Sequence, residues 1–272
     1  MQINRIAFIG AGNLASALIE GILKGGAVKS SDIFVNGRDF QKTSDFAKKF
    51  GIKAVSDKKE AVEGAEIVFL TVKPQILTSV LVEIAPYTAQ NQIIVSAAAG
   101  ISIKYIEDIL GKDIPVIRIM PNLCFSEGAG AAVFCGGQNT AQQDLQKIEF
   151  LFSNTGIVKN IDEKFFEAAA ALLGSGPAYI FYFCQAMEEA GIKLGLAPDI
   201  SKTLAAQTVF GAGKMLSESV LSAEDLRKKV TSPNGMTLKA IENFQKRDLF
   251  GIVFESMLKA KERSVELGQT KK

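Results

Sequence analysis

A glycine-rich turn near the start of the chain is its most informative pattern. The apolar residues 6–9 end in Gly-Ala-Gly-Asn-Leu-Ala (residues 10–15), and a helical pattern follows at once. Gly10 permits a sharp turn, Gly12 lets a pyrophosphate approach the backbone, and Ala15 lets the helix pack on the strand. Free N–H groups at the helix N-terminus then face the anion. The pattern predicts a dinucleotide site, and the alternative is an ordinary strand-to-helix turn.

The residues after the second apolar run bear on which dinucleotide binds. An acidic residue at the end of that strand binds the ribose 2′-OH of NAD, whereas an arginine accepts the 2′-phosphate of NADP. The chain reads Val-Asn-Gly-Arg-Asp at residues 35–39, so Arg38 is the first charge and Asn36 adds hydrogen-bonding capacity. This favours NADPH. NADH stays open because Asp39 can pair with Arg38 or repel the phosphate, and Arg38 can also be a solvated loop charge.

The absence of histidine and tryptophan from the 272 residues restricts the chemistry. A Ser-His-Asp triad and an imidazole acid or base are excluded. Cys124, Cys135 and Cys184 are odd in number and far apart, which predicts reduced thiols in a cytoplasmic protein, and the lack of histidine predicts that no metal cluster is present. A cofactor, a hydroxyl, a lysine, a carboxylate or solvent must carry any reaction.

Charge and hydropathy suggest a soluble protein. The net charge is +2 and no basic stretch has the length of a nucleic-acid footprint. No apolar run approaches the ~20 residues of a membrane span, and no signal peptide precedes the first strand. We therefore expect neither a nucleic-acid nor a membrane partner, and interpret the tail at residues 270–272 as a solvated end.

The elements predict an α/β fold. Buried strands of a parallel sheet are expected at residues 3–9, 33–36, 67–72, 93–97 and 116–120, with helices between them and added strands at 131–135 and 157–161. After about residue 161 only helical patterns remain. We predict a doubly wound Rossmann-type domain over residues 1–161 and an all-helical domain over residues 162–272.

One predicted helix is apolar on every face at residues 178–184, Ala-Tyr-Ile-Phe-Tyr-Phe-Cys. A surface helix shows a single apolar stripe. Because the helical domain is small, we interpret this segment as a subunit interface. The alternative is a central core helix within one subunit.

Five further segments have specific sequences. Leu-Thr-Val-Lys-Pro-Gln (70–75), Ser-Ala-Ala-Ala-Gly-Ile (96–101) and Arg-Ile-Met-Pro-Asn (118–122) follow predicted strands, at the sheet edge where open α/β sheets bind ligands. Gly-Ser-Gly-Pro-Ala-Tyr (174–179) and Val-Thr-Ser-Pro-Asn-Gly-Met-Thr (230–237) lie in the helical region. Together the motifs resemble those of the Δ1-pyrroline-5-carboxylate reductase family, in the expected order over nearly the whole chain.

The resemblance implies a Rossmann domain, a helical dimerisation domain, and NAD(P)H-dependent reduction of 1-pyrroline-5-carboxylate to L-proline. It also implies intertwined homodimers, which the family often assembles into decamers. The residues it assigns to the cofactor are Gly10, Gly12, Asn13, Leu14, Asn36, Arg38, Val72, Lys73, Pro74, Ala98, Ala99, Gly100 and Asn122. Those it assigns to the substrate are Ser232, Gly235, Met236 and Thr237.

Three positions depart from the family pattern. Asn234 replaces a glycine of the substrate loop, and asparagine tolerates the positive φ that such a turn needs. Met236 stands where a smaller residue is usual and could crowd the pocket. Lys58 stands where many members have asparagine, and either contacts the cofactor phosphates or is a surface lysine.

The expected mechanism moves a hydride from the cofactor to the imine carbon, while the ring nitrogen gains a proton from solvent. Backbone N–H groups of Gly235, Met236 and Thr237 form a cradle for the substrate carboxylate at a helix start. The Thr237 hydroxyl is the candidate catalytic group, with a helix N-cap as its alternative role. Lys73 and Ser175 are interpreted as structural, in a loop and at a helix start.

Two other functions stay open. A β-hydroxyacid dehydrogenase shares the two-domain plan but needs a lysine early in the first helix of its second domain, where this chain has none before Lys193. A reductase-like sensor that binds NADPH without turnover is the non-enzymatic alternative, and a six-membered cyclic imine is the alternative substrate.

Overall fold

In the computed structural model, which describes residues 3–111 and 113–269, one eight-stranded sheet forms the centre of the N-terminal part. Its strands are β1 (Ile6–Ile9), β2 (Ile33–Asn36), β3 (Lys53–Ala54), β4 (Ile67–Leu70), β5 (Ile93–Ser96), β6 (Val116–Pro121), β7 (Gly130–Gly136) and β8 (Gly156–Asn160). They lie in the order β3-β2-β1-β4-β5-β6-β7-β8. The strand order reverses between β1 and β4, so the carboxyl end of β1 lies at the point where such sheets bind ligands.

The first six strands run parallel, whereas β7 is antiparallel to β6 and parallel to β8. A single short 3₁₀ turn, Leu123–Glu127, joins β6 to β7. A parallel pairing needs a longer crossover, so a connection of this length reverses the chain direction. The buried residues of β1, β4 and β5 form near-continuous apolar runs because helices cover both faces of the sheet.

Helices follow most strands. In the N-terminal part they are α1 (Asn13–Lys24), α2 (Phe40–Phe50), α3 (Lys58–Val62), α4 (Pro74–Ile84), α5 (Ile103–Leu110), α6 (Gln142–Phe152) and α7 (Phe166–Ala169). Those that follow are α8 (Gly176–Lys193), α9 (Pro198–Glu218), α10 (Ala223–Lys229), α11 (Met236–Lys246) and α12 (Leu249–Gln269). The core on one face of the sheet takes residues from α1, α2 and α6, and the core on the other face from α3, α4, α5 and α7.

The structure differs from the sequence expectation in two places. The strand β3 and the helix α3 have no counterpart in the prediction, because each is too short to show a period. After residue 161, where only helical patterns were expected, the chain first forms a 3₁₀ turn at Glu163–Phe165, the short α7 and a π-helical turn at Ala170–Gly174. Pro177 has no N–H with which to extend the preceding helix, so α8 begins anew at Gly176.

The described residues form two compact units. One contains residues 3–175 and 260–269, so the end of α12 belongs with the sheet, and the other is Gly176–Lys259. The domain boundary predicted after residue 161 was placed where the strand pattern ends, whereas these two units are defined by contacts between residues. That domain boundary stays a prediction. The predicted solvated tail lies outside the described residues. No helix in the described part of the chain is long and apolar enough to cross a membrane.

Candidate functional site

The glycine turn connects β1 to α1 with the geometry of an anion site. Gly10 has φ +118°, and a Cβ there would lie 2.8 Å from the Thr71 carbonyl oxygen, so only glycine fits. Gly12 is the N-cap of α1, and a Cβ there would meet no atom within 4 Å. No side chain caps the helix and its first turn has no acidic residue. The N–H donors of this turn therefore face open space, which fits a pyrophosphate.

The end of β2 separates the roles of three polar residues. Asn36 is buried, and its side-chain amide donates to the carbonyl oxygens of Val55 (3.0 Å) and Ser56 (3.1 Å). The Asp39 carboxylate caps α2 by accepting from the Lys42 N–H at 3.1 Å. Arg38 is exposed and forms no ion pair among the described residues. Because Asp39 is engaged as a helix cap, Arg38 is available for an anionic ligand.

The Lys58 ammonium forms an ion pair at 2.9 Å with the carboxylate of Glu83, which lies near the end of α4. This contact accounts for Lys58 without a ligand. The structure therefore favours the surface role for this departure from the family pattern over a contact with cofactor phosphates.

The segments that follow β4 and β5 contribute backbone groups and side chains to the same edge of the sheet. Lys73 is exposed as the N-cap of α4, and Pro74 is at its first position, where a missing N–H costs nothing. Val72 is partly buried against the core. After β5, Ala98 is buried, Ala99 is half-buried, and Gly100 has φ +74°.

A cleft of about 400 Å³ opens beside these strand ends. Its wall includes three of the residues assigned to the cofactor by motif, Leu14, Ala99 and Asn122. The Asn122 side-chain oxygen accepts from the N–H groups of Cys124 and Ala131, both at 3.2 Å, which fixes the amide at the end of β6. Ser175, interpreted from sequence as a helix-start residue, does precede α8 and also lines the cleft.

The C-terminal helix contributes residues to the cleft that the sequence did not indicate. Ala260, Arg263, Ser264 and Leu267 line it. Arg263 is the one charged residue among the described residues of the lining, and its guanidinium pairs with Glu266 at 2.7 Å. These positions lie in the strand-free C-terminal part of the chain, where no motif or strand end marked them as site residues.

Cys135 lies on β7 directly opposite Arg118 of β6 and is buried. The pKa of its thiol is raised to about 12, mainly by burial and also by the nearby Glu163 carboxylate, while Arg118 opposes this shift. A thiol with this pKa stays protonated at neutral pH and is not a nucleophile. Burial also raises the pKa of Cys124 above its usual value. Neither cysteine has the character of a reactive group.

The four residues assigned to substrate lie in the loop before α11 and in the first turn of that helix. Gly235 is the N-cap of α11, and its N–H donates to the Ser232 carbonyl oxygen at 3.0 Å. Asn234 has φ +58°, the conformation that asparagine tolerates and that a glycine would adopt in the family loop. Met236 is 91% exposed. The turn therefore retains its form with asparagine in it.

Thr237 does not serve as the helix cap. Gly235 occupies the N-cap position, and no side chain caps α11. Thr237 is half-buried, and its hydroxyl has no hydrogen bond to any residue that the structure describes. The first turn contains no acidic residue. The Gly235 N–H is already bonded to Ser232, so the N–H groups of Met236 and Thr237 and the Thr237 hydroxyl are the groups available to an anion at this helix start.

Helix α8 exposes the apolar segment at residues 178–184. The side chains of Ile180, Phe181, Tyr182 and Phe183 are between 43% and 76% exposed. The alternative of a central core helix within one subunit is therefore wrong for this segment. An exposed apolar patch of this kind is typical of an interaction surface.

Comparison with known proteins identifies the family. The model described as pyrroline-5-carboxylate reductase dimerisation matches residues 163–267. A Pseudomonas aeruginosa pyrroline-5-carboxylate reductase is 38% identical over 99% of this chain and 98% of its own length. The chain belongs to the pyrroline-5-carboxylate reductase family. This confirms the resemblance inferred from the motifs and the expected fold class of Rossmann sheet followed by helices.

Further relatives match this chain over at least 99% of their own length. A Methanosarcina acetivorans pyrroline-5-carboxylate reductase is 34% identical, covering 99% of this chain and all of that one. The Coxiella burnetii enzyme structure superposes with a TM-score of 0.90 at 33% identity over 99% and 100% of the two chains. The Plasmodium falciparum enzyme, whose structure has NADP bound, gives 0.88 at 29% identity over 98% and 99%.

Residues 5–100 match a second family model, described as NADP oxidoreductase coenzyme F420-dependent. Membership of the reductase family decides against the β-hydroxyacid dehydrogenase alternative. The match to a dimerisation model shows a homo-oligomeric family and agrees with the exposed surface of α8.

Proposed function

We propose that this protein reduces 1-pyrroline-5-carboxylate to L-proline with NADPH. The observation that carries the proposal is family membership over 99% of the chain. In the reaction the C=N bond becomes a C–N bond, a hydride adds to the ring carbon, and a proton adds to the ring nitrogen. The cofactor, when bound, supplies the hydride and is oxidised.

The residues present fit a phosphorylated dinucleotide. No described side chain caps the start of α1, whose N–H groups face open space at Gly12, and Arg38 after β2 has no ion-pair partner in the described part of the chain. An arginine at that position accepts the 2′-phosphate that distinguishes NADPH from NADH. We therefore propose NADPH as the preferred cofactor, with Asn36 holding the loop of β2 against Ser56 rather than acting as a free donor.

The start of α11 is proposed to bind the substrate carboxylate. The N–H groups of Met236 and Thr237 lie at a helix N-terminus that has no acidic residue in its first turn and no cap from any described side chain, while the Gly235 N–H is bonded to the Ser232 carbonyl oxygen. The free Thr237 hydroxyl donates to the carboxylate or the ring nitrogen. Solvent supplies the proton to the imine, which agrees with a chain that lacks histidine.

The assembly is proposed to be a homodimer that buries the exposed face of α8. Phe181 and Tyr182, 68% and 76% exposed in the single chain, lie at the centre of that face. Assembly of dimers into a decamer and location in the cytoplasm stay predictions.

Identification of the product tests the function. The purified protein is incubated with the five-membered imine and NADPH, and the product is analysed as a chiral amino acid. Formation of L-proline in step with NADPH consumption is the expected result. A folded protein that binds NADPH but forms no proline would instead support the sensor alternative.

A further inference from the structure

An arginine is buried inside the sheet unit and bound to two carboxylates. Arg118 lies on β6 with a side chain 4% exposed. Its guanidinium bonds to the Glu167 carboxylate, lies 3.6 Å from a Glu163 oxygen, and stands 4.4 Å from the centre of the Phe166 ring. The same Glu163 oxygen accepts from the Ile103 N–H at 2.9 Å. The group joins β6, α7 and the start of α5.

The C-terminal helix is attached to this group through a serine. The Ser264 hydroxyl donates to the second oxygen of the Glu167 carboxylate, and Ser264 is buried. Glu167 therefore receives Arg118 on one oxygen and Ser264 on the other. A hydrogen bond to a partly buried charged group is directional and stronger than a neutral one, so it fixes the rotation of α12 at this point.

The backbone of the same helix rests directly on the loop after β5. A Cβ at Gly100 would lie 2.2 Å from the Ser264 carbonyl oxygen, and a Cβ at Gly268 would lie 1.8 Å from the Gly100 carbonyl oxygen. Both positions must be glycine for the loop after β5 and helix α12 to approach so closely. Gly100 ends the Ala98–Gly100 segment that is assigned to the cofactor by motif.

The group lies behind the cleft wall. Met120 and Asn122 follow Arg118 on β6 and at its end, and both line the cleft. Ser264 lines it from α12 and Ala99 from the loop after β5. The Arg118–Glu167–Ser264 group thus connects three parts of one wall.

We propose that Arg118, Glu167 and Ser264 are positioning residues that hold the end of α12 against the loop after β5 and so set the geometry of the cleft for hydride transfer. The inference rests on the proposed reductase function. The proposed role of the three residues is to place the reacting ring of the cofactor, and the affinity for the rest of the cofactor does not depend on them. Displacement of a reacting group by ~1 Å is enough to cost on the order of a hundredfold in rate.

Replacement of Ser264 tests this with little change in volume. Ser264→Ala removes the hydroxyl, Ser264→Thr keeps one, and Ser79→Ala is the matched control, because that exposed helical serine donates only to the Ile76 carbonyl of its own helix. We expect Ser264→Ala to lower kcat about tenfold while the Kd for NADPH changes less than about threefold, as expected from a loss of orientation alone. We expect Ser264→Thr to restore most of the rate.

A deuterium isotope effect separates positioning from a loss of folded enzyme. With NADPH deuterated at the transferred hydrogen, misplacement slows the hydride step, so the isotope effect on kcat should rise in Ser264→Ala. A merely structural role would remove active sites and leave the isotope effect of the remainder unchanged. Glu167→Gln, which keeps the shape of the side chain but removes its charge, should show the same rise.

The outcomes are distinct. If wild-type protein does not reduce the imine, the proposed function fails and this inference fails with it. If the wild type is active and Ser264→Ala matches it in kcat and isotope effect, the positioning role alone is overturned.

Discussion

At the residue scale, the two glycines of the β1–α1 turn have different physical roles. Gly10 has positive φ and backbone within 2.8 Å of its absent Cβ, whereas Gly12 has open space around it. Gly12→Ala should leave the thermal unfolding midpoint unchanged and weaken NADPH binding about tenfold or more, because its methyl occupies the approach to the N–H groups. Fluorescence titration measures the affinity.

Gly10→Ala is the matched comparison for that variant. It should lower the free energy of unfolding by about 1–3 kcal/mol, since alanine is strained at this φ and meets the Thr71 backbone. Denaturant unfolding measures it. Equal loss of NADPH affinity and stability in both variants would contradict an anion site at Gly12.

Arg38 should decide between the two cofactors. Asp39 is used as the cap of α2, so the guanidinium has no carboxylate partner among the described residues and can bind the 2′-phosphate. Arg38→Gln should raise the KM for NADPH about tenfold, the loss of a hydrogen bond to a charged group, and leave the KM for NADH nearly unchanged. Lys48→Gln, an exposed lysine on α2, is the control. An equal effect on both cofactors would place Arg38 away from the phosphate.

Thr237 is predicted to act through its hydroxyl. Because Gly235 caps α11, removal of that hydroxyl should not unravel the helix. Thr237→Ala should therefore lower kcat/KM for the imine by about tenfold, with an unchanged unfolding midpoint. Thr237→Ser should recover most of the rate. Unchanged steady-state kinetics in Thr237→Ala would remove this residue from the mechanism.

At the scale of elements, α8 presents apolar side chains that the rest of the single chain does not cover. A carboxylate in a buried apolar interface is costly, because the charge loses its hydration without gaining a partner. Phe181→Glu should shift the protein from dimer to monomer. Val82→Glu, at an exposed apolar position on α4, is the control.

Analytical ultracentrifugation of the two variants beside the wild type measures this shift. The same oligomeric state in Phe181→Glu and in the wild type would show that the face of α8 is not the interface.

Elements with a clear period were predictable from the sequence. The apolar runs of β1, β4 and β5 were marked by residue types that act locally. The two-residue β3 and the π-helical turn at Ala170–Gly174 were not, because neither leaves a local pattern. Both depend on what they pack against.

At the scale of the whole molecule, the missed features are contacts between distant segments. The residues of α12 that line the cleft come from positions 260–267, far from the strand ends along the chain. The Glu167–Ser264 contact spans 97 positions. A motif indicates the backbone geometry of a short segment and the family of the chain. These long-range contacts depend on tertiary packing, which a single sequence does not reveal.

The motif-assigned residues also acquired separate roles in the whole molecule. Asn36 was expected beside the ribose, which stays a prediction, and the N–H groups of its side-chain amide tie β2 to the segment after β3. Asp39 was the reason to doubt NADPH, and it is a helix cap. Side-chain partners of this kind decide which polar residues remain available to a ligand, and they appear only in three dimensions.

The most direct test is the initial rate of NADPH oxidation by purified protein with 1-pyrroline-5-carboxylate, run beside NADH and beside the six-membered cyclic imine. We predict rapid NADPH loss with the five-membered imine, slower oxidation of NADH, and a lower rate with the larger ring. Folded protein that binds NADPH and oxidises neither cofactor with either imine would contradict this prediction.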